Sequence, residues 1–281
     1  ATVYSANTLT LPRYVYGRIV FTGDAAHLLP IFGVRGCNTG MQDCNNMAWK
    51  LAFVVRGWSQ RQLLDTYTGE RVQAAREICE EGGKSTRFMT PPTAGTRLMR
   101  DAVLSFCLSE DFPKELLHWR TSRPHDYRST PLNTFADADA AFATGISCGQ
   151  PIRNVKLGID DYLLDRIDAG AGFHLLLFTG DAPVGGNLAD ILTAAGRQAF
   201  PVIRIVIAAL PRADHATGAD LTIVDGEGRI AARYGAAAGT VSLLRPDLHV
   251  CARWRHPEVG EVVQALQTAS VACSTLQESC R

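Results

Sequence analysis

From residue 38 onward, apolar side chains return every three or four positions, at Met41, Cys44, Met47, Ala48, Leu51, Ala52 and Val55. That spacing predicts a helix with these residues on its buried face, stopped at Gly57. A second helix is predicted over 61–81, carrying Leu63, Leu64 and Tyr67 and ending at Gly82-Gly83, and a third over 96–108. Ahead of them, the β-branched run Arg18-Ile19-Val20-Phe21-Thr22 reads as a strand feeding a turn at Gly23-Asp24. Pro124, Pro131 and the polar residues between them read as a loop. Beyond about Gly145 the texture changes. Short runs at 173–178, 203–208, 221–224, 229–234 and 249–254 predict strands, and 187–199 and 258–268 predict helices. The fold class is therefore α/β, with a second, smaller α/β domain after the first.

Composition narrows the function classes. The 281 residues are 46% apolar and 20% charged, with 28 basic against 28 acidic side chains. That balance suits a globular protein, and no Lys/Arg stripe suits a nucleic-acid backbone. The apolar runs fall far short of the roughly 20 residues a membrane span needs. Eight cysteines stand without C-x-x-C or zinc-ligand spacing, so no metal site is expected. They read as free, mostly buried thiols of a cytoplasmic protein, with a Cys273–Cys280 disulfide left open. The start, Ala1-Thr2-Val3-Tyr4, has neither a signal-peptide pattern nor an initiator Met, and reads as a fragment, a processed product or a trimmed chain.

The segment with the most chemistry is Gly23-Asp24-Ala25-Ala26-His27-Leu28-Leu29-Pro30, followed by Gly33-Val34-Arg35-Gly36-Cys37-Asn38-Thr39-Gly40. A carboxylate at a strand end accepts hydrogen bonds from ligand hydroxyls, and ligands of open α/β sheets bind at such ends. Glycines let backbone approach a flat ligand, and the following helix offers unpaired N–H groups and a positive dipole end. Together they cradle a polyhydroxylated or anionic ligand. A strand, surface turn and helix without any ligand is the competing reading of the same pattern.

With Gln42-Asp43, Asn46-Met47-Ala48-Trp49-Lys50 and the later Tyr67-x-x-Glu70-Arg71, this run resembles the second FAD motif of the class A flavoprotein monooxygenases. The subgroup it most resembles hydroxylates phenols, hydroxyphenylpropionates and polyketide aromatics. The resemblance implies a partial FAD-binding, glutathione-reductase-like domain over 1–134, a linker over 135–148 and a thioredoxin-like domain over 149–281. It implies that Asp24 holds the ribityl chain and that backbone of Gly33, Val34, Arg35, Gly36, Cys37 and Asn38 lines the pyrimidine edge of the flavin. Pro30 is expected near the substrate face. Ile31 and Phe32 depart from the family's usual residues there. The implied reaction takes hydride from NAD(P)H as co-substrate and puts one oxygen of O2 onto a small aromatic substrate. No catalytic residue is named, because the substrate contacts of that family lie largely outside this chain.

Other signals weigh less. The G-x-G-x-x-G turn that receives the FAD pyrophosphate in such enzymes has one near match, Gly226-Glu227-Gly228, and Asp225-Gly226 there reads as a hairpin turn between two strands. Gly83-Lys84-Ser85 lacks the earlier glycine of a P-loop. Without the first FAD motif the chain alone is expected to bind FAD weakly or not at all. The competing function is a non-catalytic remnant or association module with a vestigial flavin loop; a third reading has a second chain, cleaved from the same precursor, supply the missing amino-terminal half, and the partners considered are that half or another copy of the chain. His27 reads as structural, Arg245 and Asp247 as the clamp of a turn around Pro246, and Asp160 and Asp161 as no acid/base pair.

Overall fold

The computed structural model describes residues 7–30, 35–116, 125–134, 142–167, 170, 172–211 and 218–272. The chain divides into two compact units, Ala1–Asn46 with Tyr67–Pro124, and Met47–Thr66 with His125–Arg281. Among the described residues no helix is long and apolar enough to cross a membrane.

The first unit opens with four two-residue strands: β1 (Leu9–Thr10), β2 (Val15–Tyr16), β3 (Ile19–Val20) and β4 (His27–Leu28). β1 pairs antiparallel with β4, and β2 with β3 across a two-residue turn at Gly17. A 3-10 turn, Gly23–Ala25, stands between β3 and β4. Helix α1 (Gly36–Val55) begins in this unit, most of α2 (Leu63–Met89) lies in it, and α3 (Ala94–Phe106) follows.

Two expectations fail here. Gly82 and Gly83 do not end the second helix, which runs on to Met89. Gly82 is needed for closeness instead: a Cβ on it would stand 2.7 Å from Cγ and 2.9 Å from Cβ of Pro30. A glycine in a helix interior costs about 0.5–1 kcal/mol relative to alanine, and the seat for the proline ring accounts for it. Gly82→Val is expected to lower stability by about 1–3 kcal/mol, as overpacking a filled contact does. A chemical-denaturation midpoint unchanged in this variant would count against the contact.

The buried face of α1 also differs from the apolar recurrence. Met41, Leu51 and Val55 are 65%, 43% and 76% exposed, whereas Thr39, Asp43, Asn46, Met47, Trp49, Lys50 and Phe53 are buried. Periodicity found the helix and assigned its inner face to the wrong side. Four of the inward positions, Thr39, Asp43, Asn46 and Lys50, carry polar or charged groups, which a hydrophobicity pattern reads as solvent-facing.

The second unit is built on a five-stranded sheet. In chain order it contains β5 (Lys156–Gly158), β6 (Asp161–Tyr162), α4 (Leu163–Arg166), β7 (Phe173–Gly180), α5 (Asn187–Gly196), β8 (Val202–Ala208), β9 (Leu221–Val224), α6 (Arg229–Tyr234), β10 (Val241–Leu244), β11 (Val250–Trp254) and α7 (Val259–Ser270). The sheet order is β11-β10-β7-β8-β9, with β7, β8 and β9 parallel to one another and β10 antiparallel to both of its neighbours, β7 and β11.

Central β7 is buried on both faces, which is why its sequence is a continuous apolar run without alternation. Phe173, Leu175 and Leu177 pack with Val206, Leu243, Trp254 and helices α5 and α7, and with Trp49, Phe53 and Leu63. Leu176 and Phe178 face the other way, onto Ile205, Ile207, Leu244 and α6.

Residues 229–234 form helix α6, not the expected strand. Asp225 decides the matter: its Oδ1 accepts the N–H of Ile230 at 3.1 Å and its Oδ2 that of Ala231 at 2.8 Å. Gly228 and Gly235, both left-handed, bracket the helix. With its first amides taken by a carboxylate, this near match to a dinucleotide fingerprint has no open helix end for a pyrophosphate.

The thiols are less buried than expected. Cys148 and Cys251 are buried, Cys79 and Cys107 half-buried, and Cys37 and Cys44 exposed. Cys37 and Cys44 lie on the outward side of α1. Cys273 and Cys280 lie outside the described residues.

Candidate functional site

The geometry of the first unit centres on one carboxylate that sequence reasoning passed over. Asp43 is fully buried on α1. Its Oδ2 accepts the N–H of Gly23 at 3.0 Å and lies 2.7 Å from His27 Nε2, and its Oδ1 accepts from Arg71 Nε at 2.6 Å. Arg71 also donates through Nη2 to the carbonyl of Thr39 at 3.2 Å. One turn further along α1, Asn46 Nδ2 donates to Glu70 Oε2 at 2.6 Å. Tyr67 donates its hydroxyl to the Phe21 carbonyl at 2.9 Å. Residues of α1 and α2 thus hold the segment 21–27 from behind, through its backbone and through His27.

Electrostatics follow from this closure. Burial alone would raise the Asp43 carboxyl, but the His27 hydrogen bond, the Arg71 cation and the Gly23 amide outweigh it and hold Asp43 below its ordinary value. Burial pushes the Tyr14 and Tyr67 hydroxyls up. His27 is buried beside Asp43, the place of a structural histidine.

On the outer side, Asp24 and Ala25 are exposed in the 3-10 turn. Gly23 adopts φ +56, and a Cβ on Gly40 would lie 3.4 Å from its Cα. The turn therefore lies directly on α1, one helical turn from its start at Gly36. That start carries no acidic residue in its first turn, and Cys37 and Asn38 are exposed there. Its N–H groups form the positive end of a 20-residue helix.

The other expected residues divide as follows. Arg35 is buried, and the burial lowers its guanidinium while the charge of Glu81 opposes that shift. Pro30 packs against Gly82. Gly33 and Val34, with Ile31 and Phe32, lie outside the described residues. Sequence reasoning noted Gln42-Asp43 and Glu70-Arg71 only as parts of a motif. The signal for their role was an acid in step with Asn46 and Lys50 on one side of a helix, matched by an adjacent acid–base pair on the next.

The donor set fits a flavin's ribityl chain and pyrimidine edge. It combines an outward carboxylate on a clamped turn, glycines that admit close approach, and a helix start without competing acid.

Comparison with known proteins bears on the same residues. Residues 1–81 match the model of an FAD binding domain family. The 4-methyl-5-nitrocatechol 5-monooxygenase of a Burkholderia species is 30% identical over 274 residues, covering 94% of this chain and 45% of that protein. A 3-(3-hydroxy-phenyl)propionate/3-hydroxycinnamic acid hydroxylase of Klebsiella pneumoniae is 30% identical over 268 residues, covering 94% and 47%. Among solved structures, K252c-soaked RebC superposes with a TM-score of 0.66 at 24% identity, covering 94% of this chain and 47% of that one. PieE in complex with FAD and substrate gives 0.67 at 23% identity, covering 95% and 49%. The chain spans about half the length of the curated relatives it matches.

Proposed function

We propose that this chain is part of an FAD-dependent aromatic hydroxylase, in which the Asp24 turn and the start of α1 form the ribityl and pyrimidine half of a flavin site. The reading rests on one observation above all: Asp43 ties Gly23 to α1, so Asp24 and the helix start are presented together. Asp24 accepts hydrogen bonds from ribityl hydroxyls. The N–H groups of Gly36, Cys37 and Asn38 face the pyrimidine edge, with the backbone of Arg35 continuing that wall. Pro30, seated on Gly82, shapes the rim next to the substrate. Bound there, the flavin supplies the redox and oxygen chemistry, while the protein orients it and places positive potential where negative charge gathers.

The whole reaction we assign is hydroxylation of a phenolic or polyketide-like ring with NAD(P)H and O2, in the cytoplasm. The domain reading is a flavin-binding part over 1–134, a linker over 135–148 and a thioredoxin-like tail over 149–281. Disulfide exchange has no place in it, since the sequence holds no C-x-x-C pair. The remaining half of the relatives' length is the partner we assign to this unit. Met41, Leu98, Met99 and Phe106, 57% to 73% exposed, support a covering protein surface there.

Flavin fluorescence titration of the chain tests the site. Asp24→Ala is expected to weaken FAD binding by about tenfold or more, the worth of hydrogen bonds to a charged acceptor. The fold should be unaffected, because Asp24 is exposed. Equal affinity in wild type and variant would remove Asp24 from the site. A protein that ignores FAD even with an added amino-terminal half would leave the non-catalytic reading.

A further inference from the structure

The second unit carries a cleft of about 620 Å³ that the flavin reading does not use. One wall is α6, where Arg229 and Arg233 stand one helical turn apart with the small Ala232 beside them. The facing wall is the segment leading into β5, which brings Arg153 and Lys156. Ile146 and Val155, both buried, contribute apolar surface between them.

These walls are fixed rather than draped. Asp225 caps the start of α6 through two backbone amides. At the other end two glycines bring backbones together: a Cβ on Gly145 would stand 2.2 Å from the Tyr234 carbonyl oxygen, and one on Gly235 2.4 Å from that of Thr144. Arg229 Nη1 donates to the Lys156 carbonyl at 3.1 Å and ties one wall to the other. Asn154 Oδ1 accepts from Val155 N and Leu164 N and sets the turn that presents Arg153.

The charge is one-sided. Among the described residues, four cationic side chains line the cleft and no carboxylate does. Arg229 pairs with Glu227, which lies outside the lining, while among the described residues Arg153, Lys156 and Arg233 form no ion pair. Like charges one helical turn apart repel, and an anion seated between Arg229 and Arg233 relieves that repulsion. The volume is that of a small-molecule site, roughly 300–1,000 Å³, and larger than a lone inorganic ion fills. Guanidinium groups suit phosphoryl and carboxylate oxygens through paired N–H donors.

We propose that this cleft binds a small organic molecule carrying at least two negative charges. Arg153, Lys156, Arg229 and Arg233 hold the anionic groups, and Ile146 and Val155 meet the carbon skeleton. The site is built from residues of the second unit alone, so it stands or falls apart from the flavin reading.

Calorimetric titration of the full chain with ADP and with citrate tests it, the two probes separating a phosphoryl from a carboxylate ligand. One of them is expected to bind saturably, more weakly as salt is raised. Its affinity should fall about tenfold or more in the Arg153→Ala/Arg233→Ala variant and stay unchanged in Arg97→Ala and Asp24→Ala. A melting curve checks that the double variant is folded, and Arg153→Ala alone, at an exposed position outside any regular element, serves if it is not. Saturable binding of neither probe, or equal affinity in the cleft variants and wild type, overturns the proposal.

Discussion

Replacing Asp43 with alanine is expected to destabilise the folded chain by about 3–5 kcal/mol, the range found when one partner of a buried ion pair is removed. Asp43 is fully buried and satisfies three donors, the Gly23 amide, His27 Nε2 and Arg71 Nε. The alanine variant leaves the Arg71 charge enclosed without its carboxylate and frees the turn that bears Asp24. Flavin affinity should therefore fall together with stability, although Asp43 faces away from the outer surface of the turn. Asp43→Asn keeps the volume and an acceptor for Gly23 but not the charge, so it should fall between wild type and alanine.

The pH dependence has a definite sign. A carboxyl held below its ordinary value contributes stability that is present above the unfolded pKa and is lost as pH falls through the folded one. The gap between wild type and Asp43→Asn should thus narrow on acidification below the ordinary carboxylate range. Urea denaturation at neutral and acidic pH measures both effects. A loss under about 1 kcal/mol for the alanine variant would mean the network is not holding the turn.

A second loss of similar size, again about 3–5 kcal/mol, is expected from Asp247→Ala. Arg245 Nε donates to Asp247 Oδ1 at 3.0 Å, its Nη2 donates to Oδ2, and His249 Nδ1 lies 3.3 Å from Oδ1. Arg245 is wholly buried, its guanidinium 5.5 Å from the ring centre of Trp49 and 5.3 Å from that of Tyr127. Burial alone would raise the Asp247 carboxyl, but the Arg245 charge and His249 hold it well below the ordinary range. The clamp therefore survives mild acid and gives way only as pH falls through that depressed value. Leu248 sits in the left-handed region at φ +60 between β10 and β11 and stays there only while the surrounding contacts insist on it. A thermal melt of Asp247→Ala matching wild type would show that the turn holds without the pair.

The expected clamp around Pro246 was legible because Arg and Asp two residues apart flank a proline. The strands at 173–178 and 203–208 were legible because buried parallel strands write themselves as apolar runs. Four features were not. The inner face of α1 was misread because Asp43, Asn46 and Lys50 face inward; the end of α2 because Gly82 is a seat for Pro30; residues 229–234 because Asp225, at the end of the preceding strand, caps them; and the thiols because exposure of Cys37 and Cys44 follows from that same reversed face. The first two depend on partners distant in the chain, and the third on a side-chain cap that a hairpin reading overlooks.

The order of amino acids alone determined the α/β class, most elements, and the kinship carried by Gly23-Asp24, the glycine-rich run and Glu70-Arg71. Those signals are local: period, turn chemistry and spacing along one stretch of backbone. Tertiary structure alone decided that Asp43 anchors the Asp24 turn, that Gly82 admits a proline ring, and that four scattered cations meet in one cleft. Burying a charge is tolerable only where opposite charge and donors converge on it, and that convergence is a property of the folded chain.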